Sequence, residues 1–251
     1  MSRLILPCLI LFMAASPATA QKWVNIATPW SLVEHSSVVD MIDDTTDKFV
    51  YGTERGFLYI MERDRATGRL KNLKQREVWA PVHELKVAEC DGDHQNDLVV
   101  TTRNGDLFVI RLSNLEDIWR TQEGRFQFIS TFSVADVDGD KQPEIVMIAD
   151  NKLVIMAGSE DTEKYRSSED LEARQLAIAD VDNDGQDEIV LDTGKVFDAR
   201  FRQLEWDFEA SFGNPFDILD IDGDGNLEIV GTIPGKGLQV VEPDTRRVKW
   251  E

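Results

Sequence analysis

Asp180, Asp182, Asp184 and Glu188 occupy positions 1, 3, 5 and 9 of a nine-residue acidic stretch. The same four positions recur as Asp220, Asp222, Asp224 and Glu228, as Asp136, Asp138, Asp140 and Glu144, and as Glu89, Asp91, Asp93 and Asp97. In a tightly curled loop, alternate side chains turn toward one point. There, carboxylate oxygens can replace the water shell of a hard cation. Calcium suits such a donor set because it accepts six to eight oxygens in loose geometry, whereas magnesium holds to a stricter octahedron. Position 4 is Gly92, Gly139, Asn183 or Gly223, residue types that tolerate positive φ. Position 6 is glycine in two copies (Gly185, Gly225), Lys141 in another and His94 in the remaining one. A solvated acidic turn accounts for one such stretch, but not for four in step.

The flanking residues say which elements hold these loops. Val87-Ala88, Val134-Ala135, Ile178-Ala179 and Ile218-Leu219 precede them, and Leu98-Val99-Val100, Ile145-Val146-Met147, Ile189-Val190-Leu191 and Ile229-Val230-Gly231 follow. Short apolar runs on both sides predict that each loop joins two strands. A helical EF-hand would need a twelve-residue loop between amphipathic helices, which these flanks do not offer.

Loop starts at Glu89, Asp136, Asp180 and Asp220 lie 40–47 residues apart. A degenerate fifth copy is expected to start at Asp40, because Trp30 to Asp40 matches Trp79 to Glu89 in spacing. That register puts Ile42 at position 3 and Lys48 at position 9, so no ion is expected there. Each unit then reads strand, acidic loop, strand, turn, strand, connection and a last strand. The last strands close with Trp79, Trp119, Trp206 and Trp250, Tyr165 standing in for the middle unit. These tryptophans are expected to pack between units. Residues 160–164 and 169–174 are the segments that could form short helical turns. Four strands per repeat of this length predict an all-β fold, a β-propeller of about five four-stranded blades with calcium-binding hairpin loops.

Residues 1–20 read as a secretory signal: Arg3, an apolar run from Leu4 to Ala15, then Ala18-Thr19-Ala20. The propeller domain is then expected over 21–251, in a secreted or periplasmic protein with no membrane span. The net charge is −20, and loss of Arg3 makes it more negative, which argues against nucleic acid as a partner. Cys90 alone of the two cysteines lies beyond the signal, so no internal disulfide is expected. It stands at loop position 2, where the other copies have Val137, Val181 and Ile221, and is expected to be a small buried hydrophobe.

The four loops, each followed by an Ile-Val-like strand, resemble FG-GAP/VCBS repeats, the family that includes the integrin α-subunit propeller. The resemblance covers about residues 33–250. It implies a β-hairpin calcium site with side-chain ligands at positions 1, 3, 5 and 9 and a backbone carbonyl at position 7. Here that adds the carbonyls of Gln95, Gln142, Gln186 and Asn226 to the acids already named, for three to four calcium ions. It also implies recognition or adhesion outside the cytoplasm, through a protein or polysaccharide ligand.

Two other function classes are a calcium-dependent polysaccharide-active enzyme such as a lyase, and a structural subunit of an extracytoplasmic assembly. Against an enzyme, the chain has only three histidines (His35, His83, His94), and it lacks the zincin, Gly-x-Ser-x-Gly, phosphate-loop and dinucleotide patterns. No catalytic residue is therefore nominated. Lys22 to Trp30 and Val248 to Trp250 both read as outer strands, so the blades form either a ring that exchanges a strand between its termini or an open arc needing a partner chain.

Overall fold

The computed structural model describes residues 36–43, 47–235 and 237–250. The expected signal, the Lys22 to Trp30 strand and His35 lie outside them. Among the described residues, twenty strands form five antiparallel sheets, each in simple sequence order. The first blade is β1 (Ser36–Asp43), β2 (Lys48–Thr53), β3 (Phe57–Arg63) and β4 (Leu70–Glu77). The second is β5 (Val82–Ala88), β6 (Asp97–Thr102), β7 (Leu107–Arg111) and β8 (Glu116–Arg120), and the third is β9 (Ile129–Ala135), β10 (Glu144–Ala149), β11 (Lys152–Ala157) and β12 (Glu163–Arg166). The fourth comprises β13 (Leu176–Ala179), β14 (Glu188–Leu191), β15 (Lys195–Asp198) and β16 (Leu204–Asp207). The fifth comprises β17 (Phe216–Leu219), β18 (Glu228–Ile233), β19 (Gly237–Glu242) and β20 (Arg247–Trp250).

Neither residues 160–164 nor 169–174 are helical. Lys164 lies in β12, where pairing with β11 supplies the hydrogen bonds that a short helix would have to find locally.

Apolar side chains lock successive blades together. Val50, Leu58 and Ile60 meet Leu98, Val100 and Ile110 between the first two blades, and Val99, Val109 and Trp119 meet Ile145, Met147 and Met156 between the next two. Val146, Ile148 and Ile155 meet Leu176, Ile189 and Leu191, and Val190, Val196 and Trp206 meet Phe216, Ile229 and Val241. The second strands of the second, third and fourth blades are wholly buried and carry near-continuous apolar runs, because both of their faces are covered.

The first strand of each blade is innermost: β1 contacts β5, β5 contacts β9, β9 contacts β13 and β13 contacts β17. Among the described residues each has one edge with no strand beside it, and side chains from the preceding blade cap several of these edges. Asp40 Oδ2 accepts from Val87 N at 2.7 Å and Glu84 Oε2 from Phe132 N at 3.2 Å, while Lys86 Nζ donates to Phe132 O at 2.5 Å. Gln175 bonds both the N–H (3.0 Å) and the C=O (2.6 Å) of Phe216. His83 Nε2 lies 3.0 Å from Ser130 O, a packing contact of the same kind. Backbone groups that the sheets leave open are thus satisfied.

The first blade departs from the expected register. Asp40 does not open a loop; it pairs with Val50 inside the β1–β2 ladder, just as Lys86 pairs with Val99 and Asp217 with Val230. Asp43 already pairs with Lys48, so the ladder takes up positions that the expected nine-residue loop would need. The Trp79 anchor behind that expectation fails for the same reason. Trp79 lies beyond the end of β4, 80 % exposed and at φ 63°, and packs between no blades. Trp119 and Trp206 are buried as expected, and Tyr165 takes their register, pairing with Ile155 as Trp119 pairs with Val109 and Trp206 with Val196. Trp250 holds the same register opposite Val240 but is 45 % exposed.

Candidate metal centre

The four acidic loops join the first and second strands of the second to fifth blades. Their tight curl is visible in the backbone: φ is positive at every position 4 (Gly92 82°, Gly139 80°, Asn183 59°, Gly223 80°). It is positive at every position 6 as well, including His94 (64°) and Lys141 (70°). This winding aims backbone N–H groups inward at the acids. Asp180 accepts from Asp184 N (3.1 Å) and Gly185 N (3.0 Å). Asp220 and Asp136 accept in the same way from Gly225 N (3.0 Å) and Lys141 N (2.8 Å). The position-5 acids cap the turn: Asp93, Asp140, Asp184 and Asp224 accept from the N–H of Gln95, Gln142, Gln186 and Asn226 at 2.7–2.8 Å.

In three loops, carboxylate oxygens from positions 1, 3 and 9 lie within 4.8 Å of one another: Asp136, Asp138 and Glu144; Asp180, Asp182 and Glu188; Asp220, Asp222 and Glu228. In the second blade the group is Glu89, Asp91 and Asp93. Position 5 is left out of the first three groups and position 9 out of the last.

Position 9 is the first residue of the second strand, which explains why it is buried. Glu144, Glu188 and Glu228 each fix one oxygen on the N–H of position 2, at 2.9 Å (Val137), 2.8 Å (Val181) and 3.0 Å (Ile221). Asp97 is one methylene shorter and 0 % exposed, and neither of its oxygens has a hydrogen-bond partner. Burial and the neighbouring Asp91 push its pKa up to about 6. Burial likewise pushes Glu188 up to about 8, with Asp182, Glu205 and Asp180 adding repulsion. Cys90 at position 2 is buried, and burial pushes its thiol pKa up, as expected for a packing residue. An all-oxygen donor set with orphaned buried oxygens at Asp97 fits a hard divalent cation.

Basic side chains enter three of these clusters, and the sequence reading did not identify them. Lys164 Nζ lies 3.1 Å from Asp138, 3.4 Å from Asp140 and 2.5 Å from Glu144. Lys249 Nζ lies 2.8 Å from both Asp222 and Glu228. Burial works against the charge of Lys164, but the Glu144 and Asp138 carboxylates hold its pKa above the ordinary lysine range, and Asp222 and Glu228 do the same for Lys249. In the second blade Arg111 bridges Asp91 (2.8 Å) and Asp93 (2.7 Å). Each lysine sits at the bulge of its outer strand, immediately before the closing aromatic: Lys164-Tyr165 and Lys249-Trp250. The fourth blade has Glu205-Trp206 at this place. That Lys/Glu alternation before an aromatic was the available signal.

Residues 136–191, spanning the acidic loops of the third and fourth blades, match the family model described as FG-GAP-like repeat. None of the curated proteins compared with the chain matches it in sequence. Among solved structures, Sqt1 of Saccharomyces cerevisiae is similar at TM-score 0.63 and 12 % identity, over 86 % of this chain and 61 % of that one. BamB of Moraxella catarrhalis is similar at TM-score 0.53 and 15 % identity, again over 86 % and 61 %. BBS1N, solved in complex with ARL6DN, is similar at TM-score 0.60 and 12 % identity, over 86 % of this chain and 67 % of that one. The chain thus spans less than two thirds of the length of Sqt1 or BamB. At these identities the likeness establishes the architecture alone. The chain is a β-propeller that carries an FG-GAP-like repeat at residues 136–191.

Proposed function

We propose that this protein is a calcium-stapled recognition module working outside the cytoplasm, without catalysis, on a protein or polysaccharide partner. The observation that carries the calcium reading is the convergence of buried and backbone-held carboxylates in four successive loops, with both Asp97 oxygens unsatisfied. The candidate ligands are Glu89, Asp91, Asp93 and Asp97; Asp136, Asp138, Asp140 and Glu144; Asp180, Asp182, Asp184 and Glu188; and Asp220, Asp222, Asp224 and Glu228, with the position-7 carbonyls. The leader-like residues 1–20 support a compartment in which calcium is plentiful. Support for a protein partner comes from BBS1N, a propeller of the same architecture crystallised with ARL6DN.

Calcium here supplies charge balance and cross-linking between the first and second strands of a blade. The chain's own part is to hold the acids on backbone N–H groups and to present loops at one end of the blades. Extracellular calcium modules have dissociation constants of about 0.1–1 mM, so at about 1 mM calcium each site contributes roughly 0.4–1.4 kcal/mol. Thermal unfolding in calcium, magnesium and chelator, with an ion count by native mass spectrometry, tests this. A calcium-selective rise in Tm with bound ions supports the reading, and no ions with no shift overturns it. Asp184→Ala or Asp224→Ala should lower Tm more in calcium than in chelator, where only the cap on the position-7 N–H is lost.

A further inference from the structure

We propose that the bulge residue before the closing aromatic sorts the calcium sites of the third, fourth and fifth blades into two classes. Lys164 and Lys249 are tethered cations that calcium must displace from the third and fifth blades, whereas Glu205 joins the ligand set of the Asp180 loop and makes it the tightest site. This rests on the calcium reading above.

Strand register places the three side chains. Tyr165 pairs with Ile155 and Glu163 with Met156, leaving Lys164 as the extra residue between them. Trp250 pairs with Val240 and Val248 with Val241, leaving Lys249. Trp206 pairs with Val196 and Leu204 with Phe197, leaving Glu205. The backbone therefore delivers all three side chains to the same place relative to their loops. What that place touches is shown by the lysines, whose ammonium groups lie 2.5–3.4 Å from carboxylates at positions 3, 5 and 9. In those two blades a cation already occupies the cluster.

In the fourth blade the same place carries a carboxylate. Glu188 is 1 % exposed, like Glu144 and Glu228, and one of its oxygens is held by Val181 N. Among the described residues no basic side chain pairs with Asp180, Asp182, Asp184, Glu188 or Glu205, although Glu144 has Lys164 at 2.5 Å and Glu228 has Lys249 at 2.8 Å. A buried carboxylate whose two counterparts are each neutralised by an internal cation is left here for an external one. Glu205 adds a fifth acid, close enough to feel Asp182 and Asp184, and Arg246 acts on it without forming an ion pair. A site with one more carboxylate and no ammonium to expel binds a divalent cation more tightly than one that must first release a lysine.

The test is calcium titration of the full chain by calorimetry, with ion counts by native mass spectrometry, for the parent protein, Lys164→Met, Lys249→Met and Glu205→Lys. Glu205→Lys installs the side chain that two other blades already accommodate, and circular dichroism checks that each variant keeps its fold. The expected parent behaviour is one site distinctly tighter than the rest. Glu205→Lys should weaken that site by about tenfold or more, and each Lys→Met change should tighten one weaker site by about tenfold. Lys164→Met should also melt lower in chelator, because Glu144 loses its cation, and so widen the calcium-dependent shift in Tm. Calcium binding unaltered by Glu205→Lys, or by both Lys→Met changes, overturns the two-class inference and leaves the calcium reading standing. No calcium bound by any of the four proteins overturns both.

Discussion

Val146, Ile148, Leu153 and Ile155 in the third blade and Val230, Thr232, Leu238 and Val240 in the fifth occupy the same places in their sheets. Val146 pairs with Ile155 and Ile148 with Leu153, as Val230 pairs with Val240 and Thr232 with Leu238. The third-blade set is wholly buried against the fourth blade. In the fifth blade only Val240 is buried to that degree, while Thr232 is exposed and Leu238 is 53 % exposed. The opposite face of the fifth blade, with Ile229 and Val241, is buried against the fourth. A propeller sheet thus earns its apolar run only where a neighbour covers it, and the composition of β18 follows that environment. Four tests follow, three on this pair of blades and one that sets the second blade against the fifth.

The largest difference is expected in the core. Ile148→Ala or Leu153→Ala should cost about 3–4 kcal/mol, whereas Leu238→Ala should cost roughly 0.5 kcal/mol or less. Urea unfolding measures both. Equal costs would mean that the outer face of the fifth blade is as well covered as the third.

Next come the closing aromatics. Trp119 Nε1 donates to Gly158 O at 2.6 Å, tying the second blade to the third, while Trp250 has no blade beyond it among the described residues. Trp119→Ala should lose about 3 kcal/mol and Trp250→Ala about 1 kcal/mol. A loss at Trp250 as large as at Trp119 would show that the two positions are equally enclosed.

The blade count, the strand order and the loop curl were legible in the sequence because each is written locally and repeated. The Asp-x-Asp-x-Asp spacing sets the loop, and glycine or asparagine marks the position-4 residues that reach positive φ. Two features were not legible from that pattern. The first blade was set three residues out of register by aligning on Trp79, whose side chain turned out to be solvent-exposed; the ladder instead follows the apolar run through Met41 and Ile42. The basic residues in the clusters were missed because Lys164 and Lys249 lie 20 and 21 residues from Glu144 and Glu228. Only the hairpin register and its bulge bring them together.

A smaller effect separates the two loops themselves. Position 6 is Lys141 at φ 70° in the third blade and Gly225 at φ 94° in the fifth. A side chain in the left-handed region costs about 1 kcal/mol relative to glycine, so Lys141→Gly should stabilise by roughly 0.5–1 kcal/mol and Gly225→Lys should lose a similar amount. The backbone bond from residue 141 to Asp136 survives the first change, so any gain seen in chelator reports the backbone alone.

The smallest effect is a pH dependence on the inner strands. Ser133 pairs with Val146 in the third blade, and the matching residue opposite Val230 in the fifth is Asp217. Burial raises the Asp217 pKa, opposed only by the N–H of Ile218 at 2.9 Å. A raised carboxyl pKa means that the folded chain binds this proton more readily than the unfolded chain. Its contribution therefore favours folding at acid pH and is lost as pH rises from the ordinary carboxylate range through the raised value. Asp217→Asn keeps the shape of the neutral acid at every pH. It should raise Tm at pH 7 and change it very little at pH 4. Melting both proteins at the two pH values decides the matter: the same offset at each would assign the effect to packing rather than charge, and no offset at pH 7 would mean that burial does not penalise the Asp217 charge.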